Sequence, residues 1–331
     1  MNKVILLNKR PEGIPTPEDF KFIEEEKPVA TDGQILLKTL YVSVDPYLRG
    51  RMSDAKSYIP PFELNKPIQS ALVAEVQDSK NPDFKTGDFV TGMLEWKLFQ
   101  TSTGKGLTKV DGEKASLSAY LGVLGMTGLT AYFGLKEIGH PKAGETLFVS
   151  GAAGAVGSVA GQIGKIMGCR VIGAAGSDEK VNLLRSKFGY DAAINYKTTH
   201  DLTKDIAAIA PDGIDVYFDN VGGDISDAVL ANINRLGRVP LCGSISSYND
   251  KEVATGPRVQ TVMVKKSVLM QGFIVSNYAA QFPEGIAQLS KWFSEGKLTH
   301  SETIVEGFEQ IPQAFIDLFA GKNEGKMVVK I

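Results

Sequence analysis

The stretch LFVSGAAGAVGSVAGQIGK, residues 147 to 165, has the residue types that hold a pyrophosphate. Glycines let a backbone approach phosphate oxygens, and a following helix aims its first N–H groups at them. Gly154 and Gly157 stand where the last two glycines of a G-x-G-x-x-G turn belong, while Ala152 stands at the first. That departure costs little if Ala152 keeps a negative φ. Gly154, Ala155, Val156 and Gly157 are therefore the candidate pyrophosphate residues, with a helix beginning near Ala155 and Gly157 packing closely on the preceding strand. The plainer alternative is a tight strand-to-helix turn with no ligand.

The kind of nucleotide is read about twenty residues further on, where an NAD site places an acid for the adenosine ribose hydroxyl. Here CRVIGAAGSDEK puts Ala174, Ala175, Gly176 and Ser177 at that place. No carboxylate repels a phosphate there. Lys180 can pair with a 2′-phosphate as a point charge, and Tyr196 in INYK can donate its hydroxyl to the same group. NADP is thus preferred over NAD. Against this, Lys180 could be an ordinary helix lysine, with Asp178 and Glu179 suited to the helix N-terminus.

Other chemistries find little support. Catalytic zinc takes about three protein ligands and leaves one position open. The three histidines, His140, His200 and His300, each lie apart from the others and from both cysteines. Cys169 and Cys242 sit inside apolar runs and read as buried thiols, so no disulfide framework is available. A net charge of −2 and no long basic run give no field for nucleic acid or anionic membrane. No stretch approaches the roughly 20 apolar residues needed to span a bilayer, and MNKVILLNKRPEG is too short an apolar run for a signal peptide. The chain reads as a cytosolic protein of 331 residues, long enough for about two domains.

Two textures would position these residues. Up to residue 119, short alternating runs such as QILLKTLYVSVD, SALVAEVQ and GDFVTGMLEW are broken by Pro and Gly clusters and predict small antiparallel strands. From Glu145, apolar runs alternate with helical stretches: ETLFVSG, CRVIGAA, AAINY, GIDVYFDNV, GRVPLCGS and SVLMQGFIV. Continuous apolar runs mark parallel strands covered on both faces, and six of them suit a doubly wound Rossmann sheet. The close, SETIVEGFEQIPQAFIDLFAGKNEGKMVVKI, predicts a helix and a short strand returning to the first half. The expected organisation is α/β: a β domain over 1–119, a nucleotide domain over 120–295, and a segment over 296–331 that rejoins the first.

Taken in order, VSVDPYLRGRM, LGMTGLTAY, SGAAGAVGSVAGQIGK, AAGSDEKV, INYK, VYFDNVGG, LCGSISSYN and GKNEGKMVVK make the chain resemble the zinc-free medium-chain dehydrogenase/reductases. Within them it is similar to the group of prostaglandin reductases, alkenal double-bond reductases and bacterial curcumin reductases. The resemblance implies a GroES-like β domain, a Rossmann domain binding NADP(H), and a homodimer. Where zinc-dependent relatives carry a Gly-His-Glu motif this chain reads PIQSALVAEV, and VSVDPYLRG lacks their ligand cysteine.

The implied reaction is reduction of the carbon–carbon double bond of an α,β-unsaturated aldehyde or ketone, with hydride delivered to the β-carbon. Negative charge then grows on the carbonyl oxygen, and a hydrogen-bond donor aimed there lowers the barrier. Tyr47 in DPYLRGRM and Tyr248 in SISSYND are the candidate donors, aided by the nicotinamide ribose hydroxyl. By the same likeness Met126 and Thr127 lie near the nicotinamide. Asn220, the turn of Cys242, Gly243, Ser244, Ile245 and Tyr248, then Phe273, Ile274 and Val275, and finally Asn323 complete the cofactor crevice. Two alternatives stay open: a quinone reductase on the same fold, and a non-catalytic NADPH-binding sensor or structural protein.

Overall fold

The computed structural model describes residues 1–331. Seven strands lead: β1 (Asn2–Leu7), β2 (Phe20–Glu25), β3 (Ile35–Ser43), then after the short helix α1 (Leu48–Arg51), β4 (Gln69–Ser79), β5 (Phe89–Glu95), β6 (Phe99–Ser102) and β7 (Thr108–Val110). Helix α2 (Met126–Gly134) opens the alternating part: β8 (Thr146–Val149), α3 (Gly157–Ile166), β9 (Arg170–Ala175), α4 (Asp178–Ser186), β10 (Ala192–Asn195), α5 (Leu202–Ile209), β11 (Ile214–Phe218), α6 (Gly223–Ala231), β12 (Ile233–Leu241), α7 (Gln260–Lys266), β13 (Leu269–Gly272) and α8 (Phe282–Ser294). The chain ends with β14 (Glu302–Glu306), α9 (Ile311–Phe319) and β15 (Lys326–Lys330).

These elements form two compact units: Met1–Leu121 with Glu302–Asn323 and Met327–Ile331, and Gly122–Ser301 with Glu324–Lys326. In the first, a seven-stranded sheet runs β14-β15-β3-β4-β5-β7, with β6 also on β3, and β1 pairs with β2 apart from it. β15 joins antiparallel to β3, Val328 opposite Ser43. A register shift between Thr39 and Tyr41 bends β3 against β4, as an extra residue in one strand does. The core gathers Ile5, Leu37, Val76, Trp96, Phe315 and Val329. Trp96, wholly buried, donates its indole N–H to Ser70 Oγ at 2.8 Å, so its one polar atom is satisfied.

In the second unit the six apolar runs are the six strands of one parallel sheet, ordered β10-β9-β8-β11-β12-β13. β8 is buried at every position and β11 at all but Asp215, as expected of strands covered on both faces. The order reverses between β8 and β11, both parallel and in register through Phe148 and Tyr217. Such a switch point opens a crevice at the carboxyl ends of the strands. Some boundaries differ from the sequence reading. Helix α3 starts at Gly157 rather than near Ala155, and β13 ends at Gly272, leaving Phe273 and Ile274 extended beyond it and Val275 in a helical turn.

Candidate active site

The glycine-rich turn answers the question its spacing raised. The left-handed conformation falls on Gly151, with φ of 57°, and not on Ala152. Ala152 is fully buried, its N–H donating to Ala174 O at 3.0 Å, and its methyl occupies the space that a side chain at Gly173 would need. At Gly157 a Cβ would lie 2.4 Å from Gly151 O and 2.7 Å from Ala152 Cα, so only glycine lets the helix start this close to the turn. Tyr190 Oη donates to Gly157 O at 2.7 Å and locks that contact from beneath. No side chain caps α3, whereas Ser177 caps α4 and Asp201 caps α5. Within α3 the N–H of Ser158 goes to Gly154 O at 3.0 Å and that of Val159 to Val156 O at 3.2 Å, so the donors left for a ligand on the turn are those that precede Ser158.

At the end of β9 the structure gathers Lys180, Tyr196 and a residue no motif singled out, Lys197. A Cβ at Gly176 would lie 2.9 Å from Tyr196 Oη and 3.3 Å from Lys197 Cε, so the tyrosyl hydroxyl and the Lys197 chain close directly over this glycine. Burial lowers the Lys180 pKa and Lys197 pushes it the same way, while Glu324 opposes. Burial raises that of Tyr196, which keeps its proton and can donate it. Asp178, in the first turn of α4, accepts from Asn195 Nδ2 at 2.8 Å. Two lysines and a protonated tyrosine at this corner have the charge and donors for a phosphate monoester.

Asp219, buried and also unread in the sequence, ties the carboxyl ends of three strands together. Its Oδ1 accepts from Ser150 Oγ, Val221 N and Gly222 N, each at 2.9 Å. Its carbonyl accepts from Cys242 N at 2.8 Å and Gly243 N at 3.1 Å. Asn220 is held by the same knot, its Nδ2 donating to Ser150 O at 2.8 Å. Burial, with the Asp219 charge added, pushes the Cys242 thiol up to about 12, so it is no thiolate nucleophile at neutral pH. Ile245 opens a single helical turn that ends at Tyr248, whose Oη accepts from Ser244 N at 3.3 Å. Cys242, Gly243, Ser244, Phe273 and Ile274 line one cavity of about 600 Å³ with Asp219. Its remaining wall includes Ser226 and Leu230 of α6, which carried no sequence signal.

Thr127, beside Met126 at the start of α2, is buried, and its Oγ1 has no hydrogen-bond partner in the protein. A buried hydroxyl left this way costs about 1–3 kcal/mol, so it suits a ligand with a polar group. Val275 starts the turn after β13. Asn323 lies in the loop before β15, next to a segment that reaches the glycine-rich turn through Gly325.

Tyr47 belongs to the first unit, immediately before α1 and packed partly on its core. Burial raises its pKa strongly, Asp45 and Tyr58 add, and Arg51 opposes, so the hydroxyl stays protonated and can donate. The two arginines beside it fix the surrounding loops. Arg49 donates to Pro11 O at 3.1 Å and Gly13 O at 3.0 Å, while Arg51 donates to Pro60 O at 3.1 Å and stacks 3.9 Å over the Phe62 ring.

Comparison with known proteins places this architecture. Residues 3–110 match the family model described as the N-terminal domain of oxidoreductase, and residues 155–292 match that described as zinc-binding dehydrogenase. The chain is 55% identical over 329 residues to the putative NADP-dependent oxidoreductase YfmJ of Bacillus subtilis, covering 99% of this chain and 97% of that one. It is 42% identical to the NADPH-dependent curcumin reductase of Escherichia coli, covering 100% and 97%. The crystal structure of CurA in complex with NADPH from Vibrio vulnificus superposes with a TM-score of 0.95 at 41% identity, covering 99% and 98%. The chain belongs to the medium-chain dehydrogenase/reductase family, in the group of the curcumin, prostaglandin and alkenal reductases. It has a GroES-like domain and a Rossmann domain, and is an oxidoreductase whose cofactor is NADP(H).

The glycine-rich turn, the tyrosine and lysines around Gly176 and the orphaned Thr127 hydroxyl fit that cofactor. Zinc, named in one family description, does not fit: no group of three His, Cys, Asp or Glu side chains is close enough together to hold a metal ion.

Proposed function

We propose that the protein reduces the carbon–carbon double bond of α,β-unsaturated aldehydes and ketones. The observation carrying this reading is a donor set without metal ligands but with a tyrosyl hydroxyl, Tyr47, kept protonated by its surroundings. The names of full-length relatives, curcumin reductase and 2-alkenal reductase, supply the class of bond. When bound, the nicotinamide supplies the hydride, which goes to the β-carbon. Tyr47 and Tyr248 hydrogen-bond the carbonyl oxygen as enolate charge develops there, and water protonates the α-carbon.

In the same reading the turn Gly154–Gly157 holds the pyrophosphate, and Lys180, Lys197 and Tyr196 hold the 2′-phosphate. Thr127 with Met126, and the backbone of Phe273, Ile274 and Val275, hold the carboxamide end. Asn220, the turn of Cys242 to Ile245, and Asn323 complete the wall. The protein works as a homodimer through β13, an edge strand whose Leu269 is 48% exposed.

The test is NADPH oxidation with a 2-alkenal alongside a simple quinone, identifying the product by mass and NMR. A saturated aldehyde supports the proposal. Consumption of the quinone alone moves the reaction to carbonyl or ring reduction on the same cofactor site.

A further inference from the structure

Gln162 lies on α3, the helix that opens at Gly157, and is buried. The two hydrogens of its amide nitrogen go to Ser158 O and Thr299 O, each at 2.9 Å. Its oxygen accepts from Thr299 N at 2.8 Å and from Thr299 Oγ1 at 3.1 Å. Every donor and acceptor of the amide is thus used, and a buried polar group satisfied in this way fixes one arrangement of the chain around it. The segment it fixes lies between α8 and β14. Two residues beyond Thr299, Ser301 O accepts from Lys326 N at 2.9 Å, and a Cβ at Gly325 would lie 1.9 Å from the same oxygen. Gly325, with φ of 66°, donates its own N–H to Ala153 O at 2.8 Å and forms a parallel bridge with Gly154. All these residues belong to the second unit.

We propose that Gln162 is a positioning residue for the pyrophosphate turn: by pairing with the backbone of Thr299 it seats Ser301, and through Ser301 it holds Gly325 on Ala153 and Gly154. The inference rests on the assignment of the turn Gly154–Gly157 to the pyrophosphate made above. Gly325 lies flush on Ser301, with no room for even a methyl between them, so a shift of residues 299–301 carries the tail loop with it. The pyrophosphate is common to both nucleotides, so Gln162 governs affinity for NADPH and NADH by one factor and leaves their ratio alone.

The experiment combines the dissociation constants of NADPH and NADH, by titration calorimetry, with hydrogen exchange of the free protein read by mass spectrometry. Gln162→Met removes the amide, and Gln162→Asn keeps it but draws it back by one methylene, so a folding failure in one leaves the other. Each should weaken both nucleotides about two- to tenfold, the range of a lost hydrogen bond, and speed exchange over residues 322–327. Combined with Gly325→Ala, which breaks the same seat from the other side, the losses should not multiply. Unchanged dissociation constants, unchanged exchange at 322–327, a loss for one nucleotide only, or losses that multiply would each overturn the proposal. Gly154→Ala tests the underlying assignment separately: if it weakens neither nucleotide, the turn does not hold the pyrophosphate and this inference falls with it.

Discussion

A hydroxyl that cannot ionise is a donor over the whole working pH range, and Tyr47 is held in that state by burial. Its contribution to turnover should therefore be flat from neutral pH to beyond the ordinary tyrosine value of 10.0, and Tyr47→Phe should lower kcat by a constant factor across that range. Tyr248→Phe removes a hydroxyl that also braces its own turn through Ser244 N–H. It should raise the barrier by about 1–3 kcal/mol, read as kcat with a 2-alkenal, and unchanged turnover would leave it a turn residue only. At the other end of the cofactor the relevant charge is one that burial weakens. Before the nucleotide binds, Lys180 loses its proton at lower pH than an ordinary lysine at 10.5, so NADPH affinity should begin to fall earlier on the alkaline side than that value implies. NADH affinity should show no such fall, and Lys180→Arg, which stays charged, should abolish it. Lys197→Ala should weaken NADPH selectively and flatten its salt dependence.

Strands β8 to β13 were legible because buried parallel strands have an apolar signature that nothing else in this half imitates. Ends of elements were less so, since a one-residue shift in a glycine-rich run changes no pattern. That is why α3 was begun too early. Lys197 and Asp219 escaped notice for a different reason. Each takes its meaning from parts of the chain on neighbouring strands, Lys197 from its packing over Gly176 and Asp219 from Ser150 and the Cys242 turn. A lysine directly after Tyr196 and a carboxylate closing the apolar run VYF were the only signals available. The turn itself is testable as an element. Gly157→Ala puts a methyl against backbone at 2.4 Å, which neither partner can yield without moving the turn. It should cost about 1–3 kcal/mol in stability, seen as a lower Tm, and weaken NADPH and NADH together.

At the scale of the whole molecule, the change of texture along the chain separated a Pro- and Gly-broken β half from an alternating half, and the two large sheets bear the same division. What texture could not show is which sheet edge is left open, because edge and centre strands differ in partners and not in composition. β13 is such an edge, exposed at Leu269, Gln271 and Gly272. If a second copy covers it, Leu269→Lys should convert dimer to monomer in sedimentation velocity without altering the parallel sheet seen by circular dichroism.

Neither unit is a continuous length of chain. The polypeptide crosses between them at Leu121–Gly122, Ser301–Glu302, Asn323–Glu324 and Lys326–Met327, the last two bracketing only Glu324, Gly325 and Lys326. A protease that nicks one crossing cannot release a whole unit, because the threaded tail still ties the fragments. Limited digestion should thus leave a nicked species that migrates as intact protein until denatured. The same weave means that a unit grafted from a relative at one junction arrives without its final strand, so chimaeras of this enzyme must exchange the tail as well.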